Sequence, residues 1–592
     1  MKKLFSLLLL FVAADVFAQT KYFISPTGND ATGTGAAAAP WKTLYKATTA
    51  VRTAGDIIHV NAGTYTETQS SNLAAGVSLE GDGATSVIQA SFSTTYQAII
   101  YASSPEGTNG NQTVSNLNFA GRSLTSWCLQ IQGRSNVSVF NCTFTGFAQR
   151  GVVWGGRGDN GDGAPGIYAT GNKFYNNTMT NCASFDGTYG YGCLNIGGQD
   201  GMLIYNNNIT TTGTTPGWPI KLWNDGYVKG IKIYNNVLKR PPFPYQYNGI
   251  GNYFDFAIEL FHQQGIEIYG NTIEGSIDLN WQTKGAYAYA AYIHDNVIGR
   301  STQAAHCETG VWLEFESENV TIENNTFKNI SQPIMFSLRP GSYMNNITIQ
   351  KNLAYNIGKT DGTKQGTAIG IIVNDNSTNY TANNWFVYNN TFTAITGANS
   401  PYYGIQFPSG NKSTNVKINN NILTNFDYYV METDAAANLT GLEIKDNCLY
   451  NNGSNNAILF NGGAAKSYVN SGNVNVNPAL VNWLVTSTSP LFGKNIGYGG
   501  TVAPPPVSCT YVYSDWGECI NGTQSRTVLS ATPAGCVGNP VLTQTCTPPP
   551  PVKTVLMKIH VYTDNTISKA VKVNKNKTLV KTITLYTDKS VE

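Results

Sequence analysis

Five short segments share one pattern, two apolar residues separated by a single variable one: Ile220-Lys221-Leu222-Trp223, Ile258-Glu259-Leu260-Phe261, Ile277-Asp278-Leu279-Asn280, Val311-Trp312-Leu313-Glu314 and Ile334-Met335-Phe336-Ser337. On strands whose apolar pairs face inward, the variable residues face outward. Aligned by those pairs, the outward residues form one row of Lys221, Glu259, Asp278, Trp312 and Met335 and a second of Trp223, Phe261, Asn280, Glu314 and Ser337. In a chain only 12% charged, acids concentrated beside flat rings suit cleavage of a polysaccharide: one carboxyl protonates the leaving oxygen and a second acts as base or nucleophile, while rings take sugar faces.

If the segments are neighbouring parallel strands, Glu259 and Asp278 lie roughly 5 Å apart, near the spacing of retaining glycosidases. Asp278 and Glu314, one strand and one alternate position apart, come to roughly 8 Å, inside the inverting range. Both pairs stay open, and either would raise the pKa of one member. The rival chemistry is β-elimination on a uronic acid polymer, with Lys221, His262 and Arg339 as base or charge-neutralising groups and the acids as calcium ligands. Trp223, Phe261, Asn280 and Trp312 are candidate substrate contacts. Tyr245 and Tyr247 join them from a long aromatic loop, because Lys221 to Glu259 spans 38 residues while Glu259 to Asp278 spans 19.

The elements that must position these residues repeat along most of the chain. Apolar pairs flank Asn or Asp doublets in Ile204-Tyr-Asn-Asn-Asn-Ile209, Ile233-Tyr-Asn-Asn-Val-Leu238, Ile322-Glu-Asn-Asn-Thr-Phe327, Val387-Tyr-Asn-Asn-Thr-Phe392 and further copies. Equivalent positions read as Leu117, Cys142, Asn172, Asn207, Asn236, Asn271, Asn296, Asn325, Asn352, Asn390, Asn421 and Asn447, a mean spacing of 30 residues. Period-2 alternation within such a repeat predicts an all-β solenoid of stacked coils. An Asn recurring at one turn then stacks its amide from coil to coil, which accounts for the regular Asn-x-Ser/Thr triplets better than glycosylation does. Gly 60 and Tyr 34 in a chain of net charge +2 exclude a helical bundle and leave no basic field for nucleic acid.

Residues 1–18 read as a bacterial-type signal peptide: Lys2 and Lys3, an apolar run from Leu4 to Ala14, and small residues before Gln19. A secreted or cell-surface location is expected, with no transmembrane segment. Tyr22-Phe-Ile-Ser-Pro-Thr-Gly-Asn-Asp30, Pro40-Trp-Lys-Thr-Leu44 with a short amphipathic segment, Gly55-Asp-Ile-Ile-His-Val60 and Ala62-Gly-Thr-Tyr65 resemble the opening of pectin-lyase-like right-handed parallel β-helix proteins. The resemblance covers about residues 20–500 and implies a single-stranded right-handed β-helix whose short N-terminal helix caps the first coil. The chain lacks the Arg and Asp motifs of pectate lyases and the Asp pair and Gly-His-Gly of polygalacturonases, so the resemblance implies fold and not substrate.

The C-terminal region differs in composition. With the β-helix domain at 19–500, Pro-rich linkers at 501–507 and 548–552 bracket a module at 508–547 that carries Cys509, Cys519, Cys536 and Cys546, cysteines dense enough to predict disulfides. Tyr511-Val-Tyr-Ser-Asp-Trp-Gly-Glu-Cys519 and Gln524-Ser-Arg-Thr527 resemble a reduced thrombospondin type-1 repeat, which implies a layer of Trp516 on Arg526. Residues 553–592 read as a basic β tail for attachment or sorting. Cys182 and Cys193 are a candidate local disulfide. Asp159-Asn-Gly-Asp-Gly163 reads as a turn rather than a calcium loop, and five His in all argue against a His-based metal site. The expectation is a secreted polysaccharide-cleaving enzyme, hydrolytic because carboxylates outnumber bases on the strip. The alternatives are a polysaccharide lyase and a non-catalytic adhesin or glycan-binding protein.

Overall fold

The computed structural model describes residues 19–159, 161–184, 190–242, 246–247, 250–251, 255–302, 307–338, 342–358, 367–373, 380–396, 403–407, 411–426, 429–433, 438–453, 458–460, 469–499, 510–517, 523–532, 540–546, 555–562, 567–569 and 579–586. The chain divides into two compact units, Met1–Pro505 and Pro506–Glu592.

The first unit is a parallel β-helix. Each strand pairs in parallel with its equivalents one coil before and one coil after, so side chains stack in rows along the axis. The strands that matter below are β1 (Trp127–Phe140), β2 (Val152–Gly155), β3 (Gly192–Ile196), β4 (Trp218–Leu222), β5 (Phe256–Phe261), β6 (Ser276–Gln282), β7 (Cys307–Glu323) and β8 (Thr326–Leu338). Their inward row, Leu129, Val152, Leu194, Ile220, Ile258, Ile277, Val311 and Ile334, is fully buried in a core that runs from Ile24 to Leu449. Near its start a seven-residue helix, Leu44–Ala50, buries Leu44, Ala47 and Thr48. The Glu67 carboxylate accepts the helix's first free N–H groups, from Leu44 at 3.0 Å and Tyr45 at 3.2 Å.

One corner explains the Asn doublets, and the two residues of each doublet serve different needs. The first adopts the left-handed conformation: Asn176, Asn206, Asn235, Gly270, Asp295, Asn324, Lys351, Asn389, Asn420, Asp446 and Gly472 all have φ between 51° and 70°, a region that Asn, Asp and Gly enter at least cost. The second, Asn177, Asn207, Asn236, Asn271, Asn296, Asn325, Asn352, Asn390, Asn421, Asn447 and Asn473, points inward and forms a ladder. At Asn296 the Oδ1 accepts from the Asn271 N–H (3.0 Å) and amide (2.9 Å), while the Asn296 amide donates to Ile268 O, His294 O and Asn325 Oδ1, each at 2.9 Å. These bonds satisfy backbone groups that the turn removes from the strand ladder. The alignment by spacing errs at one rung: Cys142 N–H donates to Asn177, and Asn172 instead serves another corner, where Val137 N–H and Gln199 meet it. The error arises because Asn172 and Asn177 both follow tight turns five residues apart.

The proposed Cys182–Cys193 disulfide is absent. Both are free thiols with no exposure, packed as small apolar side chains in the core, and burial pushes Cys182 up to about 12. Among the described residues no helix is long and apolar enough to cross a membrane.

In the second unit, Thr510–Tyr513 pairs antiparallel with Val528–Thr532, and Thr523–Ser525 with Thr543–Thr545. The Arg526 guanidinium lies 4.3 Å from the Trp516 ring centre and 3.5 Å from that of Tyr513. Cys546 is disulfide-bonded; Cys509, Cys519 and Cys536 lie outside the described residues. Val555–Tyr562 forms a three-stranded antiparallel sheet with Ile567–Lys569 and Leu579–Tyr586.

Candidate active site

The strand register brings the outward residues together in order. Lys221 pairs with Glu259, Glu259 with Asp278, Asp278 with Trp312, and Trp312 with Met335; the second row runs from Phe261 to Asn280, Glu314 and Ser337. Inward apolar neighbours hold each strand, so the outward groups sit on a rigid platform.

Burial separates these groups. Glu259, Asp278 and Asn280 are 9%, 1% and 0% exposed, whereas Trp312 and Glu314 are half-buried. Lys221 is ion-paired to Glu259, which occupies that acid. Asp278 accepts a hydrogen bond from the Asn280 amide at 3.2 Å through Oδ2, and its buried Oδ1 has no partner among the described residues. Burial, reinforced by the Glu314 charge, raises the Asp278 pKa well above the ordinary carboxyl value. Burial lowers the Lys221 ammonium to about 7 against the opposing pull of Asp278. Asp278 and Glu314, on adjacent strands two positions apart, are therefore the acid pair left for chemistry, at roughly 8 Å from strand geometry. Asn280, expected to touch substrate, instead orients Asp278.

Other candidates fall elsewhere. Trp223 lies beyond the end of β4 and turns back, 8% exposed, over Gly155 and against Ala98, Trp127 and Val153; a Cβ at Gly155 would meet its indole nitrogen at 3.3 Å. Phe261 sits edge-on to Trp281 at 5.7 Å, and Trp312 edge-on to Phe256 at 5.5 Å. His262 occupies the turn after β5 with φ +55°, stacked between Tyr227 (4.2 Å) and Trp281 (4.8 Å). Its Nδ1 donates to Asp225 O at 2.9 Å, since a carbonyl can only accept, and both ring faces are covered. Tyr247 lies in a short hairpin with Ile250–Gly251; Tyr245 and Arg339 lie outside the described residues. Met335 and Ser337 are buried. Among the described residues no group of His, Cys, Asp and Glu could hold a metal ion.

A third outward row escaped the sequence reading. Two residues before the inward apolar position, Trp127, Arg150, Trp218 and Phe256 occupy four of five successive coils, with Gly192 on the coil between Arg150 and Trp218. The Arg150 guanidinium lies 4.8, 4.7 and 5.1 Å from the ring centres of Trp127, Tyr191 and Trp223. Trp218 is flanked by Lys221 and Arg240, both at 4.5 Å. A buried ion pair, Arg300 to Asp255 at 3.0 Å, supports the same side, with Arg300 also donating to Arg240 O. The signal was present as an aromatic or Arg two places upstream of Leu129, Val152, Ile220 and Ile258.

No protein-family model matches the chain, and no curated protein matches it. Solved structures do. The catalytic domain of Agl-KA is 16% identical with a TM-score of 0.38, over 62% of this chain and 64% of that one. A tailspike protein of E. coli bacteriophage HK620 in complex with a pentasaccharide is 10% identical with a TM-score of 0.45, over 66% and 70%. The catalytic unit of an alpha-1,3-glucanase from Streptomyces thermodiastaticus is 13% identical with a TM-score of 0.33, over 73% and 65%. The chain thus spans just under two thirds of the Agl-KA catalytic domain and of the glucanase catalytic unit.

Proposed function

We propose that this chain cleaves a polysaccharide by hydrolysis in the groove over β5–β8. The observation that carries the reading is the Asp278–Glu314 pair: a secluded carboxyl held protonated, beside a half-exposed carboxylate on the next strand. Asp278 serves as the general acid toward the leaving oxygen; Glu314 activates water, and their diagonal spacing of roughly 8 Å suits inversion. Lys221 neutralises Glu259 so that a third negative charge does not oppose the acid, and Trp312 takes a sugar face. The proposal extends to a right-handed pectin-lyase-like winding whose helix caps the first coil, to export through residues 1–18, and to surface attachment through residues 508–592 with a thrombospondin-like module.

β-Elimination is the second reading, favoured by Lys221, whose ammonium at about 7 can serve as base near neutral pH. Incubation with neutral and uronic acid polysaccharides, following new reducing ends and ultraviolet absorbance together, tests both. Reducing ends alone support hydrolysis; both signals rising support elimination; silence with retained glycan binding favours a receptor or adhesin.

A further inference from the structure

Charge is divided along the outward strip. Asp278 and Glu314 occupy its C-terminal coils, while Arg150, Lys221 and Arg240 occupy the preceding ones, close enough that both arginines depress the Lys221 ammonium. The three cations differ in what holds them. Lys221 has Glu259. Arg240 donates from Nη2 to Pro216 O at 3.0 Å and from Nε to Gly217 O at 3.1 Å. Arg150 has rings on three sides, and its Nε and Nη1 are buried without a hydrogen-bond partner among the described residues. Among the described residues no carboxylate is among the charges acting on it, and the hydroxyls of Tyr191 and Tyr96 are.

A guanidinium enclosed by aromatic rings, with two of its nitrogens left without a partner, is suited to pair with a planar anion. Desolvating these donors without a partner is costly, and an incoming carboxylate returns that cost as affinity. The rim supplies the rest of a sugar site: Tyr96, 64% exposed, stands edge-on to Trp127 at 5.8 Å. Gly197 lets the chain after Trp223 pack closely: a Cβ there would lie 2.2 Å from Trp223 O.

The geometry points to a binding subsite for the carboxylate of an acidic sugar, made by Arg150 within Trp127, Tyr191 and Trp223. This rests on the polysaccharide-cleaving reading and deepens it by naming the substrate class. Arg150 lies two residues before β2 begins and Asp278 lies on β6, four coil steps away or about 19 Å. The recognised carboxylate therefore belongs to a sugar several residues from the cleaved bond. The substrate is an acidic heteropolysaccharide or a uronate polymer bound across at least that length, and the acid that binds is not the sugar at which the bond breaks.

The test is calorimetric titration of the full chain, in the Glu314→Gln background to prevent turnover, with glucuronate- and galacturonate-containing oligosaccharides and with the same oligosaccharides after reduction of their carboxyls to alcohols. The acidic forms should bind at least about tenfold more tightly than the reduced forms. Arg150→Gln should abolish that difference and Arg150→Lys should restore part of it. The preference in the Arg150-containing protein should also weaken as ionic strength rises, a measurement that needs no further variant. Equal binding of both forms, or a preference that survives Arg150→Gln, overturns the subsite alone. Failure of every oligosaccharide to bind overturns the subsite and the polysaccharide reading together, whereas reducing-end release from neutral glycans only overturns the subsite and leaves the hydrolase standing.

Discussion

Two stacks run along the same axis with the same spacing and opposite composition. In the corner ladder eleven successive coils present Asn, from Asn177 to Asn473, and each rung makes the same bonds as the last. In the outward row the coils present Lys221, Glu259, Asp278, Trp312 and Met335, and no rung repeats. Uniformity is what a structural ladder requires, because every amide is donor to one neighbour and acceptor for the other. Variation on an equally regular platform serves recognition and catalysis, where each group has a separate task.

The contrast is broken most severely by exchanging atoms without changing shape. Asp278→Asn and Glu314→Gln should each lower turnover by about a thousandfold, within the range of general acid–base catalysis, while leaving the melting temperature unchanged or, for Asp278→Asn, slightly raised. Reducing-end assays beside thermal melts read both. Asn325→Ala should do the reverse. It strips the acceptor from the Asn296 N–H and amide and the donor from Ile293 O, so unfolding stability should fall by about 3 kcal/mol or more, with turnover per folded molecule unchanged. Asn473→Ala, at the less buried end, should cost visibly less.

The pH profile sharpens the comparison further. Because Asp278 holds its proton above the ordinary carboxyl range, the alkaline limb of kcat/KM should lie above that range. Activity is lost as pH rises through the raised value, and the limb should vanish in Asp278→Asn. A smaller effect is expected at a half-buried cluster, where Glu267 meets Lys232 at 2.6 Å and His294 at 3.3 Å. Despite burial, hydrogen bonds from His294 and Lys232 hold Glu267 at about 2 instead of 4.5, and carboxylates hold His294 above 6.5. The Glu267 contribution is complete above 4.5 and lost as pH falls to about 2; that of His294 is complete below 6.5 and lost as pH rises through its raised value. Glu267→Gln should therefore lower the melting temperature most between pH 4.5 and 6.5, and hardly at pH 2. The smallest effect is Trp312→Ala, a several-fold rise in KM with kcat nearly kept.

Much of this was legible in the chain. Apolar pairs such as Ile277 and Leu279 face inward only in one register, so aligning them also aligned Lys221, Glu259, Asp278 and Trp312. The corner was legible because an amide that must pair with its own kind repeats. What alternation cannot report is what lies over a face: it assigns Asn280 and Asp278 outward, and both are buried. Nor does it say where a side chain goes once its strand stops, as Trp223 does after Leu222, crossing to Trp127 at 5.5 Å. Arg150 is not legible from alternation because it lies ahead of its strand, Val152–Gly155, where the period of two does not apply.

The ladder also sets how the groove can change. Successive rungs from Asn177 to Asn473 are separated by 25 to 38 residues, yet the corner geometry is the same at each. The surplus of thirteen residues in the longest turn over the shortest is absorbed away from the corner. Frame and insert are thus decoupled: a loop over the groove can lengthen, shorten or be exchanged without disturbing the coils that carry it, and new specificity becomes available to a lineage at little risk to its folding.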